Sequence, residues 1–334
     1  MTCLLLSTLE LDCAVDILRR GGLVGIPTET VYGLAGDALN PAAVARIFEA
    51  KQRPHFDPLI VHVPDFSWLP RIVSRMTPQA ILLAERFWPG PLTLVLPKTD
   101  AVPDLVTSGL PTVAVRIPSH PLALDLIRRS GTPVAAPSAN PFGRISPTTA
   151  VHVVEQLGDR IDAVVDGGPC TIGVESTVLQ LHGDESGQRP LLLRPGGLSV
   201  EELEQVLGPI ETPLHAVQED HAVPAPGMLT KHYAPRTPLT VLGPNDEEQF
   251  RTLGDSTRLG LLSFGPTPCD AGRVFESVEV LSVNRDLREA AAGFFAALRR
   301  LDAHGLDRIF ATPFPEAGLG RALNDRLRRA AAKE

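Results

Sequence analysis

The chain reads as an α/β protein in two parts, and three observations lead there. Apolar strand-like runs alternate with helix-like stretches through the first half, a proline-rich irregular stretch follows, and a second, shorter alternation runs on from it. A length of 334 residues with 43% hydrophobic content suits a sizeable core divided between two domains. In the first half, strands are expected at residues 23–26, 59–63, 92–96, 113–117, 134–136, 163–165, 177–181 and 191–193. Helices fit several of the gaps. Asn40-Pro41, Thr77-Pro78 and Ser146-Pro147 each set an N-cap residue before a proline at the first helical position, and Ser199 followed by Glu201 and Glu202 reads as a fourth start. The expectation for residues 1–207 is therefore a twisted, mixed sheet with flanking helices. Residues 208–238 hold Pro213, Pro224, Pro226, Pro235 and Pro238 and the stretch Gln218-Glu219-Asp220, the composition of a linker. For 239–334, strands are expected at 239–242, 259–264, 274–281 and 308–311, and helices near 246–253, at 285–303 and at the end of the chain. These make a small Rossmann-like α/β domain.

Composition narrows the function classes. A formal net charge of −8 argues against a protein that coats nucleic acid, because a phosphate-binding footprint shows as a basic surplus. Of 31 basic residues only four are lysine, Lys51, Lys98, Lys231 and Lys333. Cys3, Cys13, Cys170 and Cys269 lie far apart without paired spacing, so neither a zinc site nor a disulfide framework is expected. The first thirteen residues have a short apolar run but no basic region, with Glu10 and Asp12 close behind, so a signal peptide is not expected. No run reaches the ~18 apolar residues of a membrane span. A soluble, cytoplasmic protein is expected. P-loop, dinucleotide and serine-hydrolase fingerprints are all missing from the sequence.

Several short segments stand out as sites. Lys51 and Arg53 fall where a helix ends before Pro54, which leaves two cations on a loop. They can meet a polyphosphate, or complement the helix dipole. Thr28 to Leu34 leave a strand with hydroxyls that face a cleft or simply build a turn. His62 closes an apolar strand, as a core or a site residue. Arg116 shares a strand face with Thr112 and Ala114, opposite Val113, Val115 and Ile117. Its fork suits a carboxylate, unless it is a solvated edge residue. Pro137-Ser138-Ala139-Asn140, with Gly143 and Ser146 behind, supplies small side chains and donors that let a ligand come close to the backbone. His232-Tyr233 places an aromatic residue in the linker, where it can cover a site or pack on the second domain.

Taken together and in order, Pro27-Thr28-Glu29-Thr30-Val31-Tyr32-Gly33-Leu34, Lys51-Gln52-Arg53-Pro54, Leu59-Ile60-Val61-His62, Arg116-Ile117-Pro118, Pro137-Ser138-Ala139-Asn140, Glu175-Ser176-Thr177 and Arg194-Pro195-Gly196 resemble the YrdC-like threonylcarbamoyl-adenylate synthases over roughly the first 200 residues. Lys231-His232-Tyr233-Ala234-Pro235 resembles the linker of the family's two-domain members. The resemblance implies a YrdC-like fold and synthesis of L-threonylcarbamoyladenylate from L-threonine, bicarbonate and ATP, with pyrophosphate released. No resident metal site is expected, but Mg²⁺ is expected with the ATP. A transferase complex would then pass the product to tRNA, which this chain meets only indirectly. It implies that Thr30, His62, Arg116 and Ser176 hold threonine, with Tyr32 in the pocket wall. Lys51 and Arg53 become the catalytic cations. ATP falls to these two with Asp57, Thr112, Ser138, Asn140, Ser146, Arg194 and a lid residue, Tyr233. Asp57 stands where the family usually has a small polar residue, so its carboxylate must pair with Arg53 or help hold a metal. Two other classes fit less: an RNA-binding module without ATP turnover, and a carbamoyl-transfer enzyme, whose longer chains carry Cys-x-x-Cys zinc fingers.

Overall fold

The computed structural model describes residues 3–181, 189–212, 232–243, 257–266 and 275–332. In the first part the strands are Leu4–Leu6 (β1), Val24–Ile26 (β2), Gly33–Asp37 (β3), Ile60–His62 (β4), Leu92–Pro97 (β5), Thr112–Arg116 (β6), Val134–Ala135 (β7), Ala163–Val165 (β8), Thr177–Gln180 (β9) and Leu191–Arg194 (β10). The α-helices are Leu11–Arg19 (α1), Pro41–Lys51 (α2), Pro78–Phe87 (α3), Asp104–Thr107 (α4), Pro121–Ser130 (α5), Ala150–Leu157 (α6) and Val200–Leu207 (α7). The strands form one mixed sheet in the order β1-β8-β2-β3-β7-β4-β6-β5-β9-β10. One apolar cluster includes Leu34, Ile47, Phe48, Val61, Leu94 and Val115. Another joins α1 and α5 to Val24, Ile26 and Val165.

Three of the four expected helix starts form as the side chains dictate. Asn40 Oδ1 accepts from Ala42 N at 3.0 Å and Thr77 Oγ1 from Ala80 N at 3.1 Å. Ser199 and Glu202 cap one another reciprocally. Ser146 caps nothing. Thr149 caps α6 instead, and Ser146 is buried with its hydroxyl given to Glu175. Two strands went unforeseen. In β1 the apolar run is only three leucines long and two of the three are exposed, so no buried face marks it as a strand. The Gly-Leu-Ala-Gly-Asp of β3 lacks strand propensity, but sits between β2 and β7, where the small residues let the strand pack closely. A Cβ on Gly36 would lie 3.1 Å from both Ile47 and Leu23.

The second part is a four-stranded parallel sheet of Leu239–Val241 (β11), Leu259–Ser263 (β12), Ser277–Val280 (β13) and Arg308–Ala311 (β14), in the order β11-β14-β12-β13. Helices Leu287–Ala303 (α8) and Leu319–Ala330 (α9) accompany it. The helix expected at 246–253, most of the linker, Lys231 and Cys269 lie outside the described residues. The two sheets meet across an apolar seam that joins Val31, Ile145 and Val174 to Ala291, Phe294 and Phe295. At this seam a Cβ on Gly173, whose φ is +79°, would stand 2.2 Å from the carbonyl oxygen of Ala291. Only glycine allows that approach.

Candidate active site

Strand register builds one wall of the site. β4 and β6 run parallel with His62 opposite Arg116, so both side chains leave the sheet together on one face. β6 lies between β4 and β5, which makes Arg116 an interior residue and not a solvated edge. It is 3% exposed and meets Glu29 Oε1 at 2.6 Å. It also donates from Nε to the carbonyl of Gly90 at 3.0 Å and from Nη1 to Thr30 Oγ1 at 2.9 Å. Thr28 gives its own proton to the carbonyl of Val31 at 2.6 Å, so across the 2.9 Å contact between the two threonines Thr30 is the donor. The chain of donors runs from Arg116 through Thr30 and Thr28 to the backbone. A guanidinium has five N–H groups; two donate hydrogen bonds here, while Nη2 is ion-paired with Glu29 but has no hydrogen-bond partner among the described residues. Burial opposes the charge of Glu29, but Arg116 holds its pKa below the usual carboxylate value. Burial, and then the charge of Arg116, push His62 down to about 3, so the imidazole is neutral, and its Nδ1 has no hydrogen-bond partner among the described residues.

The opposite wall is cationic. Lys51 ends α2 and is 1% exposed, because Gln52 takes a left-handed φ of 53° that turns the chain after it. The expected loop position is thus corrected for Lys51: it points inward from the last helical turn. Its Nζ donates to the carbonyls of Ser138 at 2.5 Å and Asn140 at 2.6 Å. Burial, then the nearby Arg53, hold its pKa well below the ordinary lysine value. Arg53 pairs with Asp57 at 2.9 Å, both side chains being 3% exposed or less, and so meets the first of the two conditions set by a carboxylate at this position. Ser138 lines the cavity beside Arg53. Asn140 faces away, its amide donating to the carbonyls of Pro141 and Arg144. On the β9 and β10 side, Arg194 donates to the Ser176 carbonyl and, at 3.1 Å, to Ser176 Oγ, which also meets Thr93 Oγ1 at 2.7 Å. Gly196 permits a close approach here: a Cβ there would lie 2.3 Å from the Glu175 carbonyl oxygen. Ser146 Oγ donates to Glu175 Oε1 at 2.6 Å.

His232 and Tyr233 close the cleft. Both are buried and line it, and Tyr233 adopts a left-handed φ of 64°. Their rings lie 4.1 Å apart, Phe142 stands 5.7 Å from His232, and Phe295 of α8 stands 5.6 Å from Tyr233. Tyr233 thus lines the cleft and packs on the second domain. The free space left is about 40 Å³, room for water but below the several hundred Å³ of a ligand site.

The structure brings Thr30, Arg53, His62, Arg116, Ser138, Ser176, Arg194 and Tyr233 to one cavity. Lys51, Asp57, Asn140 and Ser146 stand just behind it, bonded to residues that form or flank its wall. Thr112 does not reach it: it begins β6, four residues before Arg116, at the other end of the strand. Tyr32 belongs to the core, not the pocket wall. Its hydroxyl donates to the carbonyl of Gly168 at 2.7 Å and accepts from Gly167 N. Sequence reasoning passed over Glu29, Thr93 and Glu175, although two of these lie inside the quoted motifs.

One wall carries a buried arginine beside a neutral imidazole and the other carries buried cations, an arrangement that suits a small molecule with anionic groups. Comparison with known proteins gives the family. The family model Sua5_yciO_yrdC, described as telomere recombination, matches residues 16–196, and the model described as threonylcarbamoyl-AMP synthase, C-terminal domain, matches residues 198–332. The threonylcarbamoyl-AMP synthase of Pyrococcus abyssi is 44% identical, covering 96% of this chain and 94% of its own. That of Bacillus subtilis is 46% identical, covering 95% and 92%. The solved structure of P. abyssi Sua5 complexed with L-threonine superposes with a TM-score of 0.89 at 41% identity, covering 99% of this chain and 98% of that one. The chain belongs to the Sua5/YciO/YrdC family, in the form that carries the Sua5 C-terminal domain.

Proposed function

We propose that this protein is an L-threonylcarbamoyl-AMP synthase acting in tRNA modification, in which residues 1–207 perform the chemistry, His232 and Tyr233 close over it and the domain of 239–334 supports the closure. The relationship along the whole chain to synthases of that name carries the reading, and neither the RNA-binding nor the carbamoyl-transfer alternative is favoured. Threonine lies with its α-carboxylate on N–H groups of Arg116 that make no hydrogen bond among the described residues. Thr30 and Ser176 border it, and neutral His62 accepts a hydrogen bond from the amine. The amine joins bicarbonate, with loss of water, to form a carbamate. A carbamate oxygen then attacks the α-phosphorus of ATP and pyrophosphate leaves. Negative charge grows on phosphate oxygens in that step, so Lys51, Arg53 and Arg194 act by position and electrostatics, and no nucleophile from the protein is required.

In the closed state described here each of these cations is satisfied by protein groups, so ATP enters only when His232 and Tyr233 move aside and Lys51 exchanges backbone carbonyls for phosphate. Among the described residues no group of three or more acidic, histidine or cysteine side chains could hold a metal ion, and Glu29, Asp57 and Glu175 are each engaged by an arginine. In this reading Mg²⁺ comes with ATP, on its phosphates. No helix among the described residues is long and apolar enough to cross a membrane. The cytoplasm, with a transferase complex that takes the product to tRNA, is the setting this chemistry calls for. Incubation with ¹³C-bicarbonate, threonine and ATP tests the reading by mass spectrometry: labelled threonylcarbamoyl-AMP supports it, and unlabelled AMP as the sole new nucleotide rejects it.

A further inference from the structure

The C-terminal domain sends one side chain into the buried polar network behind the cleft. Arg326, on α9, is 0% exposed. It donates from Nε to Glu175 Oε2 at 3.0 Å, and from Nη1 to the Pro195 carbonyl at 2.7 Å and to Asp325 Oδ2 at 2.8 Å. Its guanidinium carbon stands 5.2 Å from the centre of the Tyr233 ring, and its Nη2 has no hydrogen-bond partner among the described residues. Three parts of the first sheet's site therefore converge on one residue of the second domain. Glu175 lines the cavity and holds Ser146, Pro195 follows Arg194, and Tyr233 closes the top.

A buried arginine is an expensive way to glue two domains. Apolar side chains of similar volume hold such interfaces as well or better, and the seam beside it already contains Phe294 and Phe295. An arginine is wanted where a carboxylate and an aromatic face must be held at fixed angles at once. We infer that Arg326 is a positioning residue for the reaction: it sets Glu175 and the ring of Tyr233, and so completes the ATP side of the cleft when the C-terminal domain is docked. This rests on the reading of Tyr233 and Arg194 as the ATP side. It gives the C-terminal domain a part in nucleotide binding through a side chain that touches no reacting atom.

The test is steady-state pyrophosphate release by the full chain, with KM measured separately for ATP and for threonine, and folding checked by urea unfolding. R326M is expected to raise KM for ATP about tenfold or more while KM for threonine stays within about twofold, and R326K, which keeps one charged donor, to fall between. E175Q should reproduce the ATP-specific rise, and E175Q/R326M should be no worse than the poorer single variant, since both break one unit. If R326M does not fold, R326K and E175Q carry the test. Equal rises in both KM values, unchanged KM values or additive effects would overturn the inference. R194A separates the two levels: an ATP-specific loss in R194A without one in R326M sinks this inference alone, whereas no ATP-specific loss in R194A sinks the reading of the ATP side itself.

Discussion

At the scale of single residues, Arg116 and Glu29 are partners in folding before they are partners in binding. Removing only the arginine leaves a carboxylate buried and unpaired, which costs about 3–5 kcal/mol. R116A is thus expected to lower the urea midpoint and, where it still folds, to raise KM for threonine about 10- to 100-fold with KM for ATP nearly unchanged. E29Q/R116M should recover much of the stability and none of the threonine binding. An equal loss toward both substrates would remove Arg116 from the carboxylate role. His62 makes a pH prediction. Its folded pKa of about 3 lies below the ordinary 6.5, so between those values the unfolded chain holds a proton that the folded chain does not. Stability is full above about pH 6.5 and falls as pH drops toward 3, by up to about 1.4 kcal/mol per unit. H62Q should unfold less steeply over that window in thermal scans; an identical acid limb would mean that His62 is protonated in the fold. The pairing of Arg53 with Asp57 could be posed from sequence as one of two options. The Arg116–Glu29 pair could not, because nothing along the chain says that residues 87 positions apart share a strand end and a loop.

At the scale of elements, the site depends on a close approach of the segment after β10 to the start of β9 that only glycine permits. G196A would place its Cβ within 2.3 Å of the Glu175 carbonyl oxygen, and is expected to cost about 1–3 kcal/mol and to weaken ATP binding through Arg194 and Ser176. Wild-type KM for ATP in a folded G196A would show that the loop has another way to close. The linker gives a second expectation at this scale. Y233A removes the ring between Arg326 and His232, and should raise KM for ATP or shorten the lifetime of the adenylate, followed by its hydrolysis to AMP. Unchanged turnover and product lifetime would dismiss the lid. Elements with strong local chemistry were readable in advance. The Asn40, Thr77 and Ser199 caps and the long α8 follow from side chains a few residues apart. The β3 strand and the buried end of α2 were not, because sheet pairing on both sides and one left-handed residue, Gln52, decide them.

At the scale of the molecule, two sheets share a seam through which Gly173, Tyr233 and Arg326 connect the ATP side of the cleft to the second domain. The motif residues made the cleft legible in the sequence because most of them lie at strand ends, where loops meet, and Lys51 and Arg53 at the end of α2. They could not show Arg326, which stands in the arginine-rich sequence of α9 with no local mark of its burial. Nor could they show that Thr112 and Tyr32 point elsewhere, since facing depends on register across the whole sheet. The account makes one central claim, that a single cleft binds threonine and ATP and joins them through a carbamate. The most direct measurement is pyrophosphate release from ATP with bicarbonate, compared for L-threonine, L-serine and no amino acid. Release that requires an amino acid, favours threonine over serine by about 10- to 200-fold, and matches the threonylcarbamoyl-AMP formed is the predicted result. Pyrophosphate release at the same rate without any amino acid would contradict it.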